Sequence, residues 1–123
     1  MTTSDLPFSN RRYHFSGVGG SGMSPLALLA ASLGADVTGS DRNRDRGIAL
    51  PIFEHLARGG VRLVPQDGSA VHTGLDAVVY STAVERSNPD FRAAEDLGVT
   101  LVRRGSFLAS IAAARRAVAV AGT

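Results

Sequence analysis

A glycine-dense junction at residues 13–24 constrains this chain more than any other stretch. The run Tyr13-His14-Phe15 leads into Ser16-Gly17-Val18-Gly19-Gly20-Ser21-Gly22-Met23-Ser24, and a helical pattern starts at once. Gly17, Gly19 and Gly22 spell G-x-G-x-x-G, the pattern of a phosphate-cradling turn between a first strand and a first helix. Gly17 allows the tight turn, Gly19 lets the backbone approach a phosphate, and Gly22 lets helix and strand pack closely. The N–H groups exposed at such a helix start, together with the helix dipole, favour an anion. A glycine-rich turn that binds nothing is the competing reading. The strand before it and the helix after it argue against that.

The rest of the chain alternates strand and helix signals. Residues 1–11 read as a polar, mobile leader. Residues 13–18 form a strand and 19–21 the turn. Met23, Leu26, Leu29, Ala30 and Leu33 then mark one helix face, with Pro25 in its first turn and Gly34 as its stop. Residues 36–39 are a second strand ending in Ser40-Asp41, followed by a charged loop at 42–47. Ile48, Ile52, Phe53 and Leu56 mark a second helix, stopped by Gly59-Gly60. Strands are expected at 61–64 and 75–80, with an irregular stretch between them. Asn88-Pro89 is a cap with proline at the first helical position, and that helix runs to Leu97 with Gly98 as its stop. A strand at 99–102, a helix at 104–114 and a sixth, apolar strand at 117–121 complete the pattern. The expected fold is α/β: a Rossmann-like three-layer sandwich with a mainly parallel sheet of five to six strands.

Composition removes several classes of function. All 13 basic residues are arginine, so the chain holds no Schiff-base lysine, no catalytic ammonium and no P-loop lysine. It has no cysteine, hence no disulfide or thiol chemistry. The arginines are spread out rather than blocked, which argues against a nucleic-acid partner. No apolar run is long enough to span a bilayer, so no membrane association is expected. No secretory h-region opens the chain, and the expected location is cytoplasmic. His14, His55 and His72 share no metal-ligand spacing, and His14 reads as a satisfied core or edge residue. An apolar edge strand at 117–121 would be a pairing hazard, so a monomer or weak dimer is expected.

In such a fold the ligand sits at the carboxyl ends of the strands, near the point where strand order reverses. That gathers Gly17, Val18, Gly19, Gly20, Ser21, Gly22 and Met23 with Ser40-Asp41, Ser81-Thr82-Ala83-Val84 and Arg103-Arg104. Asp41 lies nineteen residues after Gly22, close to the interval at which an acidic residue meets ribose hydroxyls. It can equally cap the next turn. Ser81, Thr82 and Ala83 are small and leave room for a ligand. Arg103 and Arg104 can meet a carboxylate or phosphate, or face solvent. These features suit a nucleotide-sugar site and an NAD(P) site alike. No catalytic residue is assigned within the chain.

Several motifs together resemble the Mur ligases. Gly17-Val18-Gly19-Gly20-Ser21-Gly22-Met23-Ser24 is similar to the G-I-G-G-x-G-M-S loop that opens them, and Gly39-Ser40-Asp41 to their G-S-D. Ser81-Thr82-Ala83-Val84 with Asn88-Pro89-Asp90 resembles S-S-A-I…N-P-E, and Arg103-Arg104 resembles R-R. Ala119-Val120-Ala121-Gly122-Thr123 looks like the A-V-A-G-T that leads into the H-G-K-T-T loop for ATP. The resemblance covers residues 12–123 in order. It implies an amino-terminal domain, residues 12–116, that binds UDP-N-acetylmuramate through Gly17, Val18, Gly19, Gly20, Ser21, Gly22, Met23, Ser40, Asp41, Ser81, Thr82, Ala83 and Arg103. Residues 117–123 would open a central domain carrying ATP and Mg²⁺. The whole enzyme would be an ATP-dependent amide-forming ligase of peptidoglycan synthesis, passing through an acyl phosphate that the amine of L-alanine attacks. The fragment alone would bind nucleotide and catalyse nothing. The sister branch that attaches a murein tripeptide typically reads G-N-A-M-S-R-G-N-P after the fourth strand. Ser81 to Pro89 here is closer to the alanine-adding form. The 42–46 loop is more basic than the family's, so contacts there are not carried over. The alternatives are the tripeptide ligase, an NAD(P)-binding domain of a truncated dehydrogenase, and a stand-alone nucleotide sensor.

Overall fold

Every strand of the sheet runs in the same direction. The computed structural model describes residues 6–82 and 86–121, with side chains except at residues 115 and 117–121. Its elements in order are β1 (Arg12–Ser16), α1 (Ser24–Ser32), β2 (Asp36–Ser40), α2 (Arg42–Asp45), α3 (Pro51–Arg58), β3 (Val61–Leu63), β4 (Ala77–Tyr80), α4 (Pro89–Leu97), β5 (Leu101–Arg103) and α5 (Arg104–Ala121). The five strands lie in the order β3-β2-β1-β4-β5, all pairs parallel. The chain builds outward from β1 to β3, then crosses back to lay β4 on the other side of β1. The strand order therefore reverses beside β1, and the carboxyl ends of β1 and β4 flank a crevice there.

Local sequence explains the helix limits. Asn88 caps α4 by accepting from the Asp90 and Phe91 amides at 2.9 and 3.3 Å, and Pro89 follows at N1. Gly98 ends α4 at φ 72°, a left-handed conformation that glycine adopts without strain. Pro51 starts α3 and Gly59 closes it.

The alternation of side chains along each strand divides the interior in two. Phe15, Val37 and Val79 face α1, α3 and α5 and pack with Val18, Met23, Leu26, Ala27, Ala30, Leu56, Phe107 and Ile111. Val78 faces the other way, into a smaller cluster with Val71, Ala94 and Val99 under α4. Beside that smaller cluster the sheet face is polar. His14 pairs in register with Thr38, and Ser16 with Ser40.

Three expectations change. The leader does not stay mobile up to Arg11. Phe8 is buried, donates its amide to the Leu33 carbonyl at 2.9 Å, and packs edge-on to Tyr13 at 5.7 Å and against Phe107 at 6.1 Å. Residues 1–5 lie outside the described residues. The charged loop at 42–47 contains the short helix α2, capped by Asp41. No sixth strand forms at 117–121, because α5 continues through Ala121. Ala112, Ala113, Ala114, Ala117, Ala119 and Ala121 favour helix, and a helix satisfies its own amides where a sixth strand would need a sheet partner. The pairing hazard assigned to that strand goes with it.

Because Phe8 closes the core over Tyr13 and Phe107, Phe8→Ala should lower unfolding free energy by about 3 kcal/mol. Urea unfolding followed by circular dichroism checks this. A change under about 0.5 kcal/mol would return residues 6–11 to the status of a mobile leader.

Candidate functional site

The glycine loop is held from below by the end of β2. Gly17 turns at φ 80°, and the Gly17 and Val18 amides both donate to the Ser40 carbonyl, at 2.8 and 2.9 Å. The Val18 side chain is fully buried over Gly39. A Cβ on Gly39 would meet it at 2.8 Å, so the glycine before Ser40 is a requirement of the loop's seat. The Gly19 amide donates to Asp41 Oδ2 at 2.9 Å. Gly20 donates to Gly17, and the Met23 and Ser24 amides return to the Gly20 carbonyl. The Ser21 and Gly22 amides meet no acceptor among the described residues. They lie just before α1, where the helix dipole adds to their pull on an anion.

Asp41 acts as a clip. Oδ2 holds the Gly19 amide and Oδ1 holds the Asn43 amide at 2.9 Å, which joins the loop to α2. A Cβ on Gly19 would fall 2.7 Å from Asp41 Oδ2 and 2.9 Å from Phe53 Cε1, so this glycine is fixed by packing as well as by any ligand. Gly22 is small for a different neighbour: a Cβ there would lie 3.0 Å from Arg104 Cδ and Nε. Arg104 opens α5, where the dipole disfavours a cation, yet its side chain lies against Gly22.

A cleft of about 440 Å³ opens above this loop. Gly17, Gly19 and Gly20 form one wall, and Asp41 with Arg42, Asn43 and Arg46 another. Leu50, Gln66, Ser81 and Asn88 complete it. Val18, Met23 and Ser40, all expected at the site, are instead buried beneath it and shape it. Thr82 and Arg103 lie in an adjoining depression of about 420 Å³ with Arg104, Gly105 and Ser106. Ala83 lies outside the described residues, as do Val84 and Glu85. Sequence reasoning missed Asn43, Arg46, Leu50 and Gln66. It marks Asn88 as a cap and as part of the Asn88-Pro89-Asp90 motif, and Arg42 only as part of a charged loop. Nothing in the spacing marks Gln66, which arrives from the loop after β3 because β3 lies beside β2.

Under the cleft the polar face of the sheet closes on Asp90. One carboxylate oxygen, Oδ2, accepts from His14 Nε2 at 2.9 Å, Ser16 Oγ at 3.1 Å and Ser40 Oγ at 2.5 Å. Oδ1 accepts the Gly68 amide at 3.0 Å. The other His14 nitrogen pairs with the Thr38 hydroxyl at 2.7 Å, so the histidine is satisfied, as expected. Burial alone would raise the Asp90 carboxyl. The hydrogen bond and charge interaction with His14, then the bonds from Ser40 and Gly68, outweigh burial and hold it below its ordinary value. Among the described residues no group of three or more His, Asp or Glu is placed to hold a metal ion.

Residues 12–116 match the Mur ligase family, catalytic domain. The chain belongs to the Mur ligase family. It is 37% identical over 113 residues to the UDP-N-acetylmuramate–L-alanine ligase of Burkholderia ambifaria, covering 92% of this chain and 23% of that one. It is 35% identical over 119 residues to the same ligase of Desulforamulus reducens, covering 95% and 25%. The chain thus spans about a quarter of the length of the curated relatives it matches. Among solved structures it resembles UDP-N-acetylmuramate-alanine ligase of Thermotoga maritima (TM-score 0.68, 30% identity, 79% of this chain and 21% of that one). It also resembles a murein peptide ligase of Psychrobacter arcticus (TM-score 0.71, 31% identity, 81% and 20%). A hydroxysteroid dehydrogenase of Escherichia coli, at 15% identity and TM-score 0.56, shares the fold alone. In this Mur ligase chain no helix among the described residues is long and apolar enough to cross a membrane.

The Asp90 pair gives the domain an acid limit. The folded carboxyl binds its proton less tightly than the unfolded one, so stability rises with pH through that window. Its contribution is complete above the unfolded value of about 3.9 and is lost as pH falls through the depressed folded value. Asp90→Asn should therefore be less stable at neutral pH by roughly 1–3 kcal/mol and should lose stability less steeply on acidification. Unfolding curves between pH 2.5 and 7 test this, and parallel curves for the two proteins would contradict it.

Proposed function

We propose that residues 12–116 bind the UDP portion of UDP-N-acetylmuramate, as part of an ATP-dependent ligase that joins L-alanine to that nucleotide sugar in cytoplasmic peptidoglycan synthesis. The observation that carries this reading is the glycine loop: Gly17, Gly19 and Gly20 line the cleft, the Ser21 and Gly22 amides that follow meet no acceptor among the described residues, and Arg104 lies against Gly22. A diphosphate there meets backbone donors, a helix start and a cation at once. Arg42 and Arg46 line the same cleft and make no ion pair among the described residues, which adds positive potential along the anion's path. Ser81 lines the cleft from the end of β4, and Thr82 and Arg103 extend the polar surface past it. Gly17, Val18, Gly19, Gly20, Met23, Ser40 and Asp41 hold the loop in its shape, and Ala83 keeps its place as a substrate-binding candidate.

The work of these residues is binding and orientation. ATP and Mg²⁺ are not fitted by this chain: it has no P-loop lysine, and its described carboxylates form no metal group. No step of amide formation is therefore assigned to it. We read residues 117–123 as the entry to the domain that carries ATP.

A second reading, binding of the same nucleotide sugar for a murein tripeptide ligase, is favoured by the likeness to the Psychrobacter arcticus structure. The nucleotide end would be held identically in both. The dehydrogenase reading rests on the glycine pattern, the acidic residue after the second strand and the shared fold.

Calorimetric titration of the chain with UDP-N-acetylmuramate, UDP and NAD in parallel should show weak binding of both uridine nucleotides and none of NAD. Binding of NAD alone would sink the proposal. Gly19→Val places a side chain into Asp41 and Phe53 and should reduce uridine nucleotide binding at least tenfold while the far-UV spectrum stays that of an α/β domain. Unchanged affinity in that variant would remove the glycine loop from the site.

A further inference from the structure

The buried network beneath the cleft fixes the polarity of a side chain that lines it. Ser16 and Ser40 each own one hydroxyl proton. Ser40 gives its proton to Asp90 Oδ2 at 2.5 Å. Ser16 gives its proton to the same oxygen at 3.1 Å, or to Asn88 Oδ1 at 3.4 Å. Either way neither hydroxyl has a proton left for Gln66. Both serine oxygens can only accept from it, and Gln66 Nε2 lies 3.4 Å from each. Turning the amide over would set its carbonyl against two oxygens with no proton to offer. The backbone of Gln66 is pinned as well, since its amide donates to Asp45 Oδ2 at 2.9 Å. What remains for the cleft is the carbonyl end, Oε1, which meets no donor among the described residues.

We propose that Gln66 is a specificity-determining residue that accepts a hydrogen bond from the nucleoside half of the ligand, with Asp90, Ser16 and Ser40 as the positioning residues that hold Oε1 toward the cleft. This rests on the reading of the cleft as a uridine-nucleotide site. A lone acceptor repels phosphate oxygens and selects a group with a proton to give. The diphosphate is drawn to the free amides of the glycine loop at β1. The backbone of Gln66 follows β3, on the far side of β2, and its side chain reaches back over Ser40 to Ser16 at the end of β1, so it lines the cleft with Gly17, Gly19 and Gly20. Two groups of a uridine nucleotide carry such a proton: the ring N3–H and a ribose O–H.

The test uses UDP, N3-methyl-UDP, 2′-deoxy-UDP and 3′-deoxy-UDP, each titrated calorimetrically into the 123-residue chain and its Gln66→Ala and Asp90→Asn variants. The wild-type chain should bind one of the three analogues roughly fivefold more weakly than UDP. That analogue identifies the donor. Gln66→Ala should bind UDP roughly fivefold more weakly and no longer distinguish it from that analogue, because donor and acceptor act as one pair. Asp90→Asn should keep UDP binding but lose most of the same discrimination. A purely structural role for the network would weaken all ligands alike and leave the ratio unchanged. Equal discrimination in wild type and Gln66→Ala, with UDP still bound, overturns this inference and leaves the binding function standing. Failure of the wild-type chain to bind UDP at all overturns both. Gln66 is only partly buried, so its variant keeps the test decisive should Asp90→Asn fail to fold.

Discussion

Three side chains and one backbone amide converge on the Asp90 carboxylate, and they come from three separate parts of the chain. His14 and Ser16 belong to β1, Ser40 to β2 and Gly68 to the loop after β3, while Asp90 itself sits in the first turn of α4. Beside the small apolar cluster of Val71, Val78, Ala94 and Val99, the α4 side of the sheet is polar where its opposite face is aliphatic and aromatic, so the hydrophobic effect alone would not close that part. A buried carboxylate with four donors does, at the cost of desolvation that only complete pairing repays. Every buried side-chain nitrogen and oxygen among the described residues has a partner, which is the condition such a network needs.

The glycine loop depends on the same corner. Its two leading amides rest on the Ser40 carbonyl, one residue before the Asp41 clip and on the residue whose hydroxyl serves Asp90. The end of β2 thus carries the loop on its main chain and the polar floor on its side chain. A loop held this way is shaped before any ligand arrives, so little ordering is left to oppose binding. The acidic residue at the expected interval has a structural task as well, since each of its oxygens accepts a backbone amide while the residue lines the cleft.

The strand–helix alternation was legible because each signal was local. Gly98 as a stop, Asn88-Pro89 as a cap and the buried Ala77–Tyr80 strand need no knowledge of the rest of the chain. The loop's role was legible for the same reason. What stayed hidden depends on pairing across long separations. Phe8 looks like part of a polar leader until Tyr13 and Phe107 are folded against it. Asp90 reads as an ordinary first-turn acid of a helix, and its bond to His14 spans 76 residues. Gln66 enters the cleft only because β3 is laid beside β2. The run at 117–121 was ambiguous at its own scale, since a short alanine-valine stretch suits strand or helix, and the continuity of α5 decided it.

Gly39 lacks a side chain so that Val18 can occupy its place. Plug and socket lie on different elements, yet neither can change alone: a methyl group on the strand evicts the valine, and a larger plug has nowhere to seat. In a lineage exploring new ligands, these two positions should drift together or not at all. Arg42 and Arg46 at the rim of the cleft make no ion pair among the described residues and face no such partner. Variation in what the cleft holds is therefore channelled to its rim, while the turn that receives the phosphates stays fixed by a vacancy one strand away.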